Sequence, residues 1–475
     1  MHWIDITIFS TYLIFMLGVG FFFLKKNKNT EDYFVGGRQM GSLHIGLSVV
    51  ATDVGGGFSI GLGGLGFTMG LSGSWLLFSG LVGAWLTAVV LVPTVHRLST
   101  RLNLLSFPQF LEHSYNKKVA FLAGIISAIG YLGFTSSQVL AGAKLASATF
   151  PSLSLNTALL AMGIIAVGYT VLGGMKAVIY TDTIQWIVLM VGLIFVALPL
   201  CYHAVGGIEA IRETLPASFL SMTNVTWQQI LNWMITIVPI WFIGMTLYQR
   251  IYASKSVKSA KRAWFIAGLF EYPLMAFTGV LLGLFARVAY ENGMLADAGF
   301  AAGSPIDSEM GLPLLLKTVL PIGLIGVVLS AYFSAIMSTA DSCLMAASGN
   351  VLTDIFKGHQ HKSSLLFSQL LTFIIGALAL LIALKMPNVL ELMLHSYTFM
   401  VSGLFIPLLA VLIKPNNSSK AALGSMISGG GTSLILIIFN PALPYGLEPI
   451  AFAILASMAA FLLISILDKT KRVVS

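Results

Sequence analysis

Two stretches of this sequence carry side chains that helix packing alone does not require. The first is Ala51-Thr52-Asp53-Val54-Gly55-Gly56-Gly57-Phe58-Ser59, set inside an apolar run. A glycine in a helix interior costs about 1 kcal/mol relative to alanine, and an aspartate at bilayer depth costs at least about 2.5 kcal/mol. Both penalties at one depth are explained by an interrupted helix whose freed carbonyls and carboxylate line a polar cavity. The second stretch is Leu329–Ser342, where Ser334, Ser338, Asp341 and Ser342 fall at i, i+4, i+7 and i+8, with Thr339 beside them. That spacing is one stripe of an α-helix. Hydroxyl, carboxylate and carbonyl oxygens are hard donors suited to a small hard cation. Serines alone can simply pack helices or bond back to their own carbonyls, but an unpartnered aspartate among them is expensive and favours ion binding. The eight histidines are scattered, and Cys201 and Cys343 both lie in apolar runs, so neither a transition-metal set nor a disulfide framework is indicated.

The elements that must hold these groups are membrane helices. Of 475 residues, 57% are hydrophobic and 9% charged, and the mean hydropathy is +0.90. Soluble domains carry about 25% charge, so a cytosolic enzyme, a disordered chain and a nucleic-acid binder are excluded. A spanning helix needs about 20 mostly apolar residues. Thirteen such stretches are expected, near 5–24, 42–70, 74–95, 119–148, 156–173, 180–201, 226–248, 264–288, 312–352, 364–385, 390–413, 420–439 and 447–467. Met1–Phe22 lacks a basic leader and a small-residue cleavage site, and is read as a retained helix. The whole chain, 1–475, reads as one transmembrane domain.

Basic residues set the expected orientation. Lys25, Lys26, Lys28 and Arg38 follow the first crossing, Arg97, Arg101, Lys117 and Lys118 the third, and Arg250, Lys255, Lys258, Lys261 and Arg262 the seventh. Lys469, Lys471 and Arg472 end the chain, whereas 291–309 is acidic. The N-terminus is therefore expected outside and the C-terminus in the cytoplasm, and the net charge of +8 is a topology signal. A broken helix in one half of a transporter implies a partner in the other. Taking 42–201 and 226–414 as two five-helix halves, that partner is 226–248, with Pro239 and Gly244. Five is odd, so the halves are inverted. Residues 1–41 and 420–475 then add flanking helices. Lys144 and Glu271 could pair or line the pathway, though nothing in the sequence links them.

The chain resembles the sodium:solute symporters. The resemblance rests on Ala51–Gly64, on Gly173-Gly174-Met175-Lys176-Ala177-Val178-Ile179-Tyr180-Thr181-Asp182-Thr183-Ile184-Gln185, on Ser334–Asp354 and on Tyr248-Gln249-Arg250. It implies an all-α polytopic fold with a five-plus-five inverted repeat, like that of the amino-acid transporter LeuT, and broken first and sixth core helices. It also implies Na+ as coupling ion, held by the carbonyls of Ala51, Val54 and Ala335 and the hydroxyls of Ser338 and Thr339. A second sodium site would use Asp182, Ser338, Asp341 and Ser342, although relatives often carry serine where this chain has Asp341. Asp182 alternatively caps a helix.

Substrate candidates are Asp53, Gly56, Phe58, Gln138 and Trp241. Asp53 matches the proline-transporting branch, and Gly57-Phe58 and Ile243-Gly244 lack the polar residues of sugar carriers. The choline branch has tryptophans where this chain has Asp53 and Gly244. The expected activity is sodium-coupled import of a small polar solute, proline or another zwitterion or amine. Choline, a carboxylate or a sugar are the alternative substrates, and a proton-coupled carrier or a channel the alternative classes. The expected partners are solute, sodium and the lipid bilayer of a plasma (bacterial inner) membrane, with no nucleic acid and no obligate protein partner. No nucleophile–base pair indicates an enzyme.

Overall fold

A bilayer core offers no water to peptide groups, so a chain this apolar must satisfy its backbone internally. In the computed structural model it does so with helices. The structure describes residues 2–24, 38–53, 55–150, 153–356, 364–414 and 417–474. Among these the one β feature is an isolated parallel bridge between Met40 and Ser254. The first half runs α1 (Trp3–Leu24), α2 (Ser42–Asp53), α3 (Gly56–Met69), α4 (Trp75–Val90), α5 (Val92–Leu102), α6 (Phe107–Ser114) and α7 (Lys117–Thr149). It continues with α8 (Leu155–Met190), α9 (Leu198–Ala204) and α10 (Gly207–Thr214). The second half comprises α11 (Trp227–Ile243), α12 (Met245–Ala253), α13 (Val257–Leu269), α14 (Ala276–Glu291), α15 (Ser308–Val319) and α16 (Leu324–Asn350). The last four are α17 (Ser364–Ala383), α18 (Val389–Ile413), α19 (Ser419–Phe439) and α20 (Pro449–Val474).

The hydroxyl stripe lies at the centre. Of the span containing α16, 83% is buried, against 33% for α19 and 22% for α20. Helix α16 packs on α1, α7 and α8. Asp5 of α1 accepts the N–H groups of Gly323 (2.7 Å) and Gly326 (2.9 Å), which satisfies orphan donors at the start of α16 and complements its dipole. Farther along, Ser334 donates to Tyr12 Oη at 2.7 Å. The outer surface is apolar, with Ile164, Phe195, Leu366 and Ile438 exposed.

The expected thirteen crossings are matched in part. Among the described residues nine helices are long and apolar enough to cross, or ten if the bent pair α11–α12 is one span; thirteen stretches were expected. The stretch 312–352 is two helices, α15 and α16, parted at a left-handed Gly323 (φ 88°). The stretches 156–173 and 180–201 join in one helix, α8, which continues through wide turns at Val191–Ala197 into α9. Hydropathy registers apolar length and is blind to where a helix bends or runs on.

Glycine lets α3 and α14 touch backbone to backbone. A Cβ on Gly66 would lie 2.1 Å from the Val280 carbonyl oxygen, and one on Gly283 would lie 2.0 Å from that of Gly63. In lipid such close approach replaces the hydrophobic driving force. Gly283→Val should therefore cost about 2 kcal/mol or more through overpacking, read as a lower thermal midpoint of the purified protein. Gly431→Ala, which meets nothing within 4 Å, should leave the midpoint unchanged.

Candidate functional site

Helix α2 ends at Asp53 and α3 starts at Gly56, with Gly55 extended between them (φ −62°, ψ −167°). The interruption expected from the glycine run is present, and so is close packing. A Cβ on Gly55 would fall 1.7 Å from Thr339 Oγ1, and one on Gly56 2.3 Å from Ile336 Cγ1. Glycine thus opens the helix and also admits α16 to the opening. The Thr339 hydroxyl lies 3.2 Å from the Ala51 carbonyl oxygen and 3.2 Å from that of Ala335. Three hard oxygens of the expected sodium set converge there, and their chemistry suits the ion. Val54 lies outside the described residues. Ser338 turns aside and donates to Asp182 Oδ1 at 2.5 Å.

The second break falls at Gly244, between α11 and α12, which meet at 41°. Pro239 lies inside α11 rather than at the break. Beyond the break, α12 carries Arg250, fully buried, into the space between α2, α8 and α16. Its Nη2 donates to Asp182 Oδ2 (3.0 Å), Ser342 Oγ (2.8 Å) and Thr52 Oγ1. Nε donates to Ser48 Oγ at 2.9 Å, and Nη1 to the Thr246 carbonyl at 3.1 Å. Asp182, also fully buried, accepts from Ser48 and Ser338 as well. The expected second sodium set is therefore laced together by a guanidinium. Asp182, Ser338 and Ser342 belong to this network, whereas Asp341 Oδ1 accepts from Thr170 at 2.5 Å and its Oδ2 has no partner. Asp182 sits within α8 and pairs with Arg250 (3.0 Å) rather than capping a helix end. Arg250 was counted only in a basic loop and a family motif. The available signal was its position within a helix, one residue after Tyr248-Gln249.

The substrate candidates separate. Asp53 is 8% exposed, and its carboxylate faces that of Glu271, which is fully buried. Glu271 sits in wide helical turns, Phe270–Met275, between α13 and α14, where Tyr272 is extended (φ −136°, ψ 124°) and Pro273 interrupts the ladder. Its carboxylate lies on α4, since a Cβ on Gly80 would be 2.4 Å from Oε2. One turn along, Gly83 receives the Trp241 ring of α11, 2.5 Å from the position a Cβ would take. Trp241 is buried, and its Nε1 has no hydrogen-bond partner among the described residues. Gln138 is buried with Nε2 3.1 Å from Ser137 Oγ. Gly56 packs on α16, and the side chain of Phe58 lies outside the described residues. Lys144 pairs with Asp307 and Glu309, both at 2.6 Å, and not with Glu271. A cavity of about 540 Å³ lies between α3, α11, α15, α18, α19 and α20, with Trp233, Glu309, Glu391, His395, Thr398 and Glu448 in its wall.

Arg250 offers a direct test of this arrangement. Removing one partner of a buried pair leaves an uncompensated charge, at about 3–5 kcal/mol. Arg250→Ala should lower the thermal midpoint sharply, and Asp182→Asn added to it should restore part of the loss. Additive effects in that double-mutant cycle would show that the two groups do not interact.

The comparisons with known proteins follow the same lines. The high-affinity proline transporter PutP of Bacillus subtilis is 28% identical over 474 residues, 96% of each chain. A sodium/proline symporter of Salmonella typhimurium is 30% identical over 366 residues, 75% of this chain and 71% of the relative. In fold the chain is similar to a Na+-coupled sialic acid symporter solved in a substrate-bound outward-open state, with a TM-score of 0.79 at 20% identity over 98% of each chain. The model of the sodium:solute symporter family matches residues 33–429. This integral membrane chain, with its oxygen donors gathered at a glycine break, belongs to the sodium:solute symporter family.

Proposed function

We propose that this sodium-coupled symporter imports a small organic solute bearing an amine or a zwitterionic headgroup, with proline first among the substrates to test. The observation that carries this reading is the Thr339 hydroxyl held 3.2 Å from the carbonyls of Ala51 and Ala335 at the break. Sodium, as co-substrate, would bind there with Val54 and Ser338, joining α2 to α16. The solute would sit against the breaks, near Asp53, Gly56, Phe58, Gln138 and Trp241. Helices α2–α3 and α11–α12 would be the matching broken helices of a five-plus-five inverted repeat, in an inner membrane with the N-terminus outside and the C-terminus in the cytoplasm. The proline transporters among the relatives support the substrate choice.

Alternating access follows from linkage. Sodium drives the cycle only if it binds the substrate-competent state better than the other states. The membrane potential adds about 2.3 kcal/mol per charge per 100 mV. Any second sodium at Asp182, Ser338, Asp341 and Ser342 must share Asp182 with Arg250, so the site at Thr339 is the primary one.

In proteoliposomes, an inward sodium gradient should drive concentrative uptake of labelled proline. Uptake indifferent to sodium but driven by a proton gradient would reverse the assignment of the coupling ion. Ser338→Ala with Thr339→Ala should raise the sodium concentration needed for half-maximal uptake at least about ten-fold, with little change in solute affinity at saturating sodium. For Asp182→Asn, a Hill coefficient for sodium falling toward one identifies a second ion there, while an unchanged coefficient leaves Asp182 as the counter-ion of Arg250.

A further inference from the structure

Three charged clusters lie near the broken helices, and two of them contain a cation. Asp182 has Arg250 at 3.0 Å, while Lys144 answers Asp307 and Glu309. Asp53 and Glu271 have each other. Among the described residues, both Glu271 oxygens and Asp53 Oδ2 are buried without a hydrogen-bond partner, although the carboxylates face one another from two interrupted helices. Two carboxyl groups in contact and out of water cannot both hold their charge without a cation. Arg250 is committed to Asp182, and Lys144 to Asp307 and Glu309.

We infer that Asp53 and Glu271 form one subsite that holds the ammonium group of the transported solute, so that the substrate is an organic cation or a zwitterion gripped by its cationic end. The inference rests on the symport reading above and names the part of the substrate that the site reads. Aromatic groups complete the subsite. Trp241 leans on α4 one turn from the Gly80 that seats Glu271. Tyr397 is within electrostatic reach of both carboxylates, and its ring meets Phe134 edge-on at 5.0 Å. Carboxylate oxygens suit sodium as well, so the ring faces, which an organic ammonium uses together with carboxylates, are what favour the solute here.

The cavity above extends the argument. Glu309 in its wall is answered by Lys144, but Glu391 and Glu448 have no lysine or arginine beside them among the lining residues, and its Thr398 is the chain neighbour of Tyr397. A cleft lined by one sign of charge concentrates ligands of the opposite sign. The acidic wall would gather cations, and the buried pair would receive them.

The test uses the purified full-length protein in detergent and in proteoliposomes, with four probes: choline, proline, glucose and propionate. Choline or proline should raise the thermal midpoint in sodium and compete for sodium-driven uptake, while glucose and propionate should do neither. Glu271→Gln and Asp53→Asn should each weaken that ammonium binding at least about ten-fold, and Glu271→Asp should retain part of it. Relieving the repulsion, Glu271→Gln should also keep or raise the midpoint of the ligand-free protein, which a merely structural role would lower. Sodium-induced stabilisation without solute should survive in Glu271→Gln; its loss there, with ammonium affinity intact, would make the pair a sodium site and overturn the inference. Sodium-driven uptake of glucose or propionate alone would overturn it too and leave symport standing. Failure of both choline and proline to stabilise the protein or compete overturns it, whereas failure of sodium to drive any probe strikes the symport reading itself.

Discussion

A guanidinium out of reach of water must find partners within the fold, and Arg250 is fully buried. Desolvating such a charge costs several kcal/mol even after relaxation. The cost is offset by acceptors arranged around the planar fork. Asp182 supplies the counter-charge and shares the two Nη2 hydrogens with Thr52 and Ser342, while Ser48 takes the Nε hydrogen and the Thr246 carbonyl one of those on Nη1. Those acceptors come from α2, α8, α12 and α16. One side chain thus fixes the far side of both interrupted helices against the helix that carries the hydroxyl stripe.

The position of this network gives sodium a mechanical consequence. Thr339, which touches the Ala51 carbonyl, is next in sequence to Ser338, which donates to Asp182. Thr52, which follows Ala51, meets Ser342 at 3.0 Å and accepts from Arg250. An ion drawing Ala51 and α16 together therefore acts on residues that also hold the guanidinium. Replacing a buried pair by apolar groups is often neutral or stabilising, so stability alone does not explain this one. Under the sodium sites proposed above, ions and a guanidinium would share the same oxygens, and the pair would serve switching between two arrangements that sodium distinguishes.

Glycine serves two separate ends here. At Gly66 and Gly283 it lets backbones approach where no apolar driving force exists between helices in lipid. At Gly55 it allows α2 and α3 to part while Thr339 enters the gap. The same residue type thus builds the scaffold in one helix pair and the site in another, and its neighbours decide which.

What one sequence could determine was local. The glycine run beside Asp53 and the stripe through Ser338, Thr339, Asp341 and Ser342 were legible because each is costly in an apolar helix unless it is used, and that cost is read from neighbouring positions. Composition likewise required helices in a membrane. The partners were not legible, because they join distant segments. Asp182 and Arg250 are 68 residues apart, and Lys144 and Glu309 are 165 apart. Glu271 was legible as a charge that could pair with Lys144 or line the pathway, but its place opposite Asp53, beside Pro273 and the glycine at position 80, was not. The division of 312–352 and the fusion of two expected helices into α8 were also hidden, since apolar length does not encode a bend. Local spacing fixes which groups could do chemistry, and long-range packing in a low-dielectric interior decides which charges are neutralised.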